Sequence, residues 1–297
     1  MTAEQAPAAG RALVLGGGGL SGIAWETGVL AGLAAGGVDV TTADYVLGTS
    51  AGATVAAQLG SGLSLTELFE RQTVPGLQSA ELSPDIGRVI ELMESWEKLP
   101  LEYPDPVELR REVGQRALAV QTVPEAERRA VIAGRLPQHS WPSRRLAVVA
   151  VEASTGDVRV FDKDSGADLV DAVTASCAIP GIWPPVTIGA GRYIDGGTRS
   201  AVNADLAAGY RRVLILAPMA DLALEGQSAG LVAEGEEVQV QVIIPDDEST
   251  AAFGLNPLDP AVRAPAAQAG YAQGERAAAA VSRLWQHPDS PNASGCR

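Results

Sequence analysis

Ser50 stands in Gly48-Thr49-Ser50-Ala51-Gly52, a G-x-S-x-G string that follows the apolar run Tyr45-Val46-Leu47 and precedes a stretch of small residues. A serine on such a strand-to-helix bend projects at the carboxyl end of a sheet, where it can attack a carbonyl. Upstream, Ala12-Leu13-Val14-Leu15 runs into Gly16-Gly17-Gly18-Gly19-Leu20-Ser21-Gly22. Consecutive glycines let backbone N–H groups approach a substrate oxygen without interference from Cβ, and the helix that follows adds its positive end. The two turns together point to a serine hydrolase with a backbone oxyanion site. The base has to come from elsewhere in the chain.

Histidine is scarce, with two in 297 residues. His139 lies in a proline-flanked loop and His287 in a polar tail, and both read as surface residues. Asp195 is the alternative base: it ends the strand Tyr193-Ile194 and is followed by Gly196-Gly197. An Asp-Gly pair is also a common turn, so the residue alone does not assign itself a role.

The glycine string has a second meaning. Gly17-Gly18-Gly19-Leu20-Ser21-Gly22 fits G-x-G-x-x-G after a strand, as a dinucleotide site requires, with Asp39 and Asp44 in range of a ribose. Yet Asp44 opens its strand instead of closing it. A P-loop is excluded because no Gly-Lys-Ser/Thr follows. A nucleotide-binding oxidoreductase and a catalytically silent regulatory protein of the same fold therefore stand beside the hydrolase as alternatives.

The net charge of −14 opposes binding to phosphate backbones, so nucleic acid is not an expected partner. Residues 213–262 hold nine acids and no Lys or Arg, whereas residues 72–145 hold ten basic residues against eleven acids. The second stretch is the better candidate for peripheral contact with an anionic membrane, and also reads as an ordinary solvated helical surface. Cys177 and Cys296 are too few for a disulfide framework. The N-terminus lacks a basic, apolar signal, and no stretch suggests a membrane span, so a cytoplasmic setting is expected. Oligomeric state is not legible.

Strands are expected at 11–15, 44–47, 145–152, 158–162, 193–194, 213–217 and 238–244. Helices are expected at 22–35, 51–59, 65–72, 86–98, 107–120, 124–133, 169–176 and 259–285. This alternation predicts a three-layer α/β/α fold with a mostly parallel central sheet. The expected organisation is a leader at 1–10, one domain over 11–286 with a helical insertion at about 63–143, and a tail at 287–297. Leu92, Met93, Trp96, Leu99 and Leu101 in the insertion are candidates to line or cover a site.

Three blocks in this order, Gly17-Gly18-Gly19-Leu20-Ser21-Gly22, Gly48-Thr49-Ser50-Ala51-Gly52 and Asp195-Gly196-Gly197, resemble the patatin-like phospholipases, lipid acyl hydrolases of bacteria and plants. The run Ala175–Val186, rich in small residues and proline, supports the match. The resemblance implies a Ser-Asp dyad without histidine: Ser50 as nucleophile, Asp195 as general base, and the amides of Gly17, Gly18 and Gly19 as oxyanion donors. It implies a fatty-acyl ester or lipid substrate and neither metal nor cofactor. Ser21 departs from the family, which usually carries Arg or Lys there.

Overall fold

The computed structural model describes residues 10–84, 87, 91, 98–219, 223–231 and 238–286. The expected leader (but for residue 10), the tail and most of the expected 86–98 helix lie outside the described residues.

Eight strands form one sheet: β1 (Arg11–Leu15), β2 (Tyr45–Thr49), β3 (Leu146–Glu152), β4 (Val158–Phe161), β5 (Val186–Ile188), β6 (Gly191–Asp195), β7 (Arg212–Leu216) and β8 (Gln239–Ile243). Strands β3, β2, β1, β7 and β8 run parallel in that order. Strands β4 and β6 each pair antiparallel with β3, and β5 pairs antiparallel with β6. The register on β3 decides where β6 lies. Val148 and Val149 pair with both β2 and β4, while Ala150 and Val151 pair with both β4 and β6. A strand has two edges, so β4 holds one and β2 and β6 share the other, end to end. Strand β2 runs up to Thr49 opposite Val149, and β6 comes down to Asp195 opposite Ala150. The last residue of β6 is thereby delivered to the carboxyl end of β2.

Alternation along the strands buries both faces. Leu13 and Leu15 enter one apolar cluster, Ala12 and Val14 the other. The first face is covered by α1 (Gly19–Ala35), α2 (Ala51–Leu59), α6 (Leu169–Ser176) and α9 (Arg263–Gln286). The second is covered by a 3-10 turn over Ala204–Ala207, by Tyr210, by α7 (Ala223–Gly230) and, over Val151 and Ile194, by the helix Pro106–Ala119. The three-layer arrangement expected from the sequence is thus present.

Helices α1 and α9 pack main chain on main chain. A Cβ on Gly28 would lie 2.1 Å from the Ala267 carbonyl oxygen, one on Gly32 2.1 Å from that of Tyr271, and one on Gly274 2.3 Å from that of Val29. Trp25 Nε1 adds hydrogen bonds to Ser249 Oγ at 3.1 Å and Gln273 Oε1 at 2.9 Å.

Between α2 and β3 come α3 (Leu65–Thr73), α4 (Pro106–Ala119) and α5 (Glu125–Arg135). Ser64 and Glu67 form a capping box on α3, and Asp105 accepts from the amides of Val107 and Glu108 at the start of α4. Three expectations are corrected. Pro260–Val262 is a separate 3-10 turn, and the long helix begins at Arg263. Strand β5 and helices α7 and α8 (Asp247–Phe253) were not expected from the pattern. Leu101 is 86% exposed and is not among the residues that line the cavity at Ser50. Among the described residues, no helix is long and apolar enough to cross a membrane.

Candidate active site

The bend between β2 and α2 forces Ser50 to φ 53°, ψ −111°, outside the regions open to ordinary L-residues. Glycine is required on both sides. A Cβ on Gly52 would lie 2.1 Å from the Leu15 carbonyl oxygen, and one on Gly48 2.5 Å from Ala53 Cα. The strained turn is clamped by the end of α6. Ser176 Oγ accepts from the Ser50 amide at 2.9 Å and donates to the Val149 carbonyl at 2.6 Å. Cys177 Sγ donates to the Ser50 carbonyl at 3.1 Å. Strain of this kind persists only where neighbours over-determine the backbone, and here they do.

Ser50 Oγ donates to Asp195 Oδ2 at 2.7 Å, across 145 positions of sequence. The other carboxylate oxygen, Oδ1, accepts from the Gly197 amide at 2.7 Å. Asp195 is 5% exposed and Ser50 8%. Burial pushes the Asp195 carboxyl up to about 7, against the opposing pull of the Ser50 hydroxyl, the Gly197 amide and the Arg128 charge. A carboxylate so poised is matched to proton transfer near neutral pH.

The glycine loop accounts for its amides one by one. Gly16 N–H donates to the Leu216 carbonyl at 3.0 Å and Gly17 N–H to the Ala201 carbonyl at 2.7 Å. Leu20 and Ser21 both donate to the Pro257 carbonyl, at 2.8 and 3.1 Å, and Gly22 donates to that of Gly18 at 2.8 Å. Among the described residues, nothing accepts from Gly18 or Gly19. The resemblance groups Gly17 with these two, but its amide is engaged by the Ala201 carbonyl. Ser21, in the position of the expected cation, donates through Oγ to the Gly18 carbonyl at 3.0 Å and helps fix the loop. Gly19 has φ 63°, and its Cβ position lies 2.8 Å from the Pro257 carbonyl oxygen, so both backbone and space demand glycine.

These groups open on a cavity of about 310 Å³ touching Gly17, Gly18, Gly19, Ser50 and Asp195. Its walls are apolar: Leu99, Leu109 and Val113 from the insertion, Ile179 and Ile182 after α6, and Leu258 near α9. Leu99 therefore lies where the sequence suggested, whereas Leu92, Met93 and Trp96 lie outside the described residues. The ribose candidates are elsewhere. Asp39 caps its own turn through Thr41, and Asp44 accepts from the Arg11 amide at the start of β1, at the opposite end of the strands.

Sequence reasoning gave no role to Asn203, noted only as an asparagine that follows Asp195-Gly196-Gly197 later than the Asn-Pro usual in the patatin-like family. It is fully buried with φ 55°, and its Nδ2 donates to Thr49 Oγ1, Gly196 O and Ser200 O, tying the end of β2 to the turn after Asp195. Asparagine tolerates the left-handed region, which was the available signal. It also missed Arg128 on α5, which is 3% exposed with its guanidinium carbon 3.9 Å from the centre of the Trp183 ring. A charged residue in a polar helix gives no warning that it points inward.

Comparison with solved structures finds similarity to VipD from Legionella pneumophila, at 14% identity and a TM-score of 0.45, over 93% of this chain and 68% of that one. It also finds the type III effector protein ExoU, at 17% identity and a TM-score of 0.37, over 92% of this chain and 54% of that one. The chain thus spans about half the length of ExoU. No curated protein matches the sequence. The family model described as patatin-like phospholipase matches residues 13–208, a span that contains the glycine loop, Ser50 and Asp195. Two thirds of the chain are covered by that match, and the protein belongs to the patatin-like phospholipase family.

Proposed function

We propose that the protein is a serine acyl hydrolase that cleaves fatty-acyl esters of lipids through an acyl-enzyme. Ser50 Oγ attacks the ester carbonyl while Asp195 Oδ2 takes its proton. The amides of Gly18 and Gly19 hold the developing oxyanion. Asp195 returns the proton to the departing alcohol, and the same carboxylate then activates the water that releases the fatty acid. The observation that carries this reading is the 2.7 Å hydrogen bond between Ser50 and Asp195 beside an apolar cavity that Gly18 and Gly19, whose amides are unengaged among the described residues, help to line.

The insertion at about 63–143 supplies one wall of the acyl pocket within a single domain over residues 11–286. Lipid enters from a membrane surface. Support comes from the apolar side chains about the pocket: Met219 in its wall is 47% exposed, Leu101 beside wall residue Pro100 is 86% exposed, and Leu255 is fully exposed two positions before wall residue Pro257.

The test is hydrolysis of a p-nitrophenyl ester series by wild type, Ser50→Ala and Asp195→Asn, together with fluorophosphonate labelling. Each substitution is expected to lower kcat by about 10⁴-fold or more, and Ser50→Ala to abolish labelling. Wild-type activity in either variant would end the dyad assignment.

A further inference from the structure

Next to the acyl cavity, sharing Gly19, Ser50, Ile179 and Leu258 with it, lies a second chamber of about 20 Å³, bounded also by Ala51, Arg128 and Trp183 among others. Its size decides what it can hold. A single water occupies roughly 10–15 Å³ on this measure, so the chamber takes one oxygen and not a phosphate or carboxylate group.

Its electrostatics are one-sided. Helix α1 begins at Gly19 and α2 at Ala51, so two helix N-termini present positive ends to it. Arg128 adds a full charge. Among the described residues its Nε and Nη1 have no hydrogen-bond partner, and both are buried. The nearby carboxylates are committed elsewhere. Glu81 accepts from Arg135 Nε at 2.9 Å and Nη2 at 2.7 Å and lies 4.0 Å from Arg263. Asp195 accepts from Ser50 and Gly197, and Asp171 takes the neighbouring Arg129. Burial, and then the charge of Arg135, push the Arg128 guanidinium down to about 9, which leaves it protonated at neutral pH. Glu81 and Asp195 balance its charge only from a distance, so the buried Nε and Nη1 keep donor capacity free for an anion.

We propose that Arg128 is a further catalytic residue, which faces the carbonyl oxygen of the substrate in the chamber beside Ser50 and stabilises the negative charge that forms there. As the Oγ–C bond forms and the Ser50 proton passes to Asp195, the π pair of the C=O bond moves onto that oxygen. When the pair returns, the C–O bond to the alcohol breaks, and the alcohol leaves with the proton from Asp195. Gly19, which borders both cavities, contributes its amide to the same oxygen, Gly18 reaches it from the acyl cavity, and the guanidinium carbon lies 3.9 Å from the centre of the Trp183 ring. The inference rests on the hydrolase reading above.

The experiment compares wild type, Arg128→Met and Arg128→Lys on neutral p-nitrophenyl esters, and on matched trifluoromethyl and methyl ketones as inhibitors. The first ketone forms a charged tetrahedral adduct on the serine; the second binds without one. Arg128→Met is expected to lose about 10²-fold or more in kcat with little change in KM. Trifluoromethyl ketone affinity should fall in step, methyl ketone affinity should hold, and Arg128→Lys should recover part of the loss. Thermal melting checks the fold, and Arg128→Lys carries the test if the methionine variant does not fold. Unchanged kcat on neutral esters would overturn the proposal. So would equal losses for both ketones, or a loss confined to esters that bear an anionic group. A wild-type protein without esterase activity, or an active Ser50→Ala, would overturn the hydrolase reading and this one together. An inactive Ser50→Ala beside a fully active Arg128→Met would overturn this one alone.

Discussion

Asp195→Asn is expected to abolish activity and to stabilise the folded protein in alkaline solution. The two effects have one cause. Burial raises the Asp195 carboxyl from its ordinary 3.8 to about 7 in the folded state. Between those values the unfolded chain has lost the proton and the folded protein still holds it. Stability therefore falls as pH rises across that window, by about 1.4 kcal/mol per pH unit, and levels off above about 7. The full span sets a ceiling of about 4 kcal/mol on what the buried carboxylate costs at pH 8. Asparagine keeps the shape, carries no charge and removes this slope. Urea unfolding of wild type and variant at half-unit intervals from pH 4 to 8.5 measures the difference directly, and other titrating groups cancel in it. We expect the variant to gain about 1–3 kcal/mol at pH 8 and nothing at pH 4. In the proposed mechanism the same ionisation governs the wild-type rate, because the base works only when charged. The ratio kcat/KM should rise with pH, bend near 7 and lie roughly 100-fold below its plateau at pH 5. A variant that is less stable than wild type at pH 8, or one with an identical pH slope, would refute the reasoning.

Ser50→Gly should be inactive yet more stable by roughly 1 kcal/mol, since glycine adopts φ 53° freely; denaturant melts showing destabilisation would contradict the strain. Gly52→Ala should cost about 3 kcal/mol, because its Cβ would meet the Leu15 carbonyl at 2.1 Å and push α2 off β1, and a thermal melt within a degree of wild type would rule that out. Glu26 is fully buried in α1, neither carboxylate oxygen has a partner among the described residues, and burial pushes its carboxyl well above the ordinary 4.5 against a weaker pull from the Gly16 amide. Its contribution is present below 4.5 and lost as pH rises, so Glu26→Gln should be the more stable protein at pH 8, and equal unfolding midpoints there would count against a neutral Glu26.

Much of this arrangement is legible in the sequence because glycine and local pattern carry it. The bends at Gly16–Gly22 and Gly48–Gly52 stand out because Gly18, Gly19, Gly48 and Gly52 leave no room for a Cβ, and α6 falls on Leu169–Ser176 as expected. Strand β5 escaped because Val186–Ile188 is three residues long and buried in a proline-rich run. Helix α7 is short and weakly patterned, and α8 is announced only by its cap, Asp246 accepting from the Ser249 amide. The meeting of Ser50 with Asp195 depends on β2 and β6 sharing one edge of β3, a matter of sheet register that no local pattern encodes. The engagement of Gly17 by Ala201 and the inward turn of Arg128 are likewise tertiary facts.

The contact between α1 and α9 has a mechanical consequence. Side chains normally cushion helix pairs, and a displaced helix can be absorbed by rotamer changes before its neighbour responds. Here carbonyls sit where β-carbons would be, so the two rods move as one body. The first residue of α1 is Gly19 and the carbonyl that steadies its first turn belongs to Pro257, just ahead of α9. Residues 263–286, beyond the family match at 13–208, are thereby joined through α1 to the glycine loop beside Ser50, so a push on the far end of α9 is expected to be felt there.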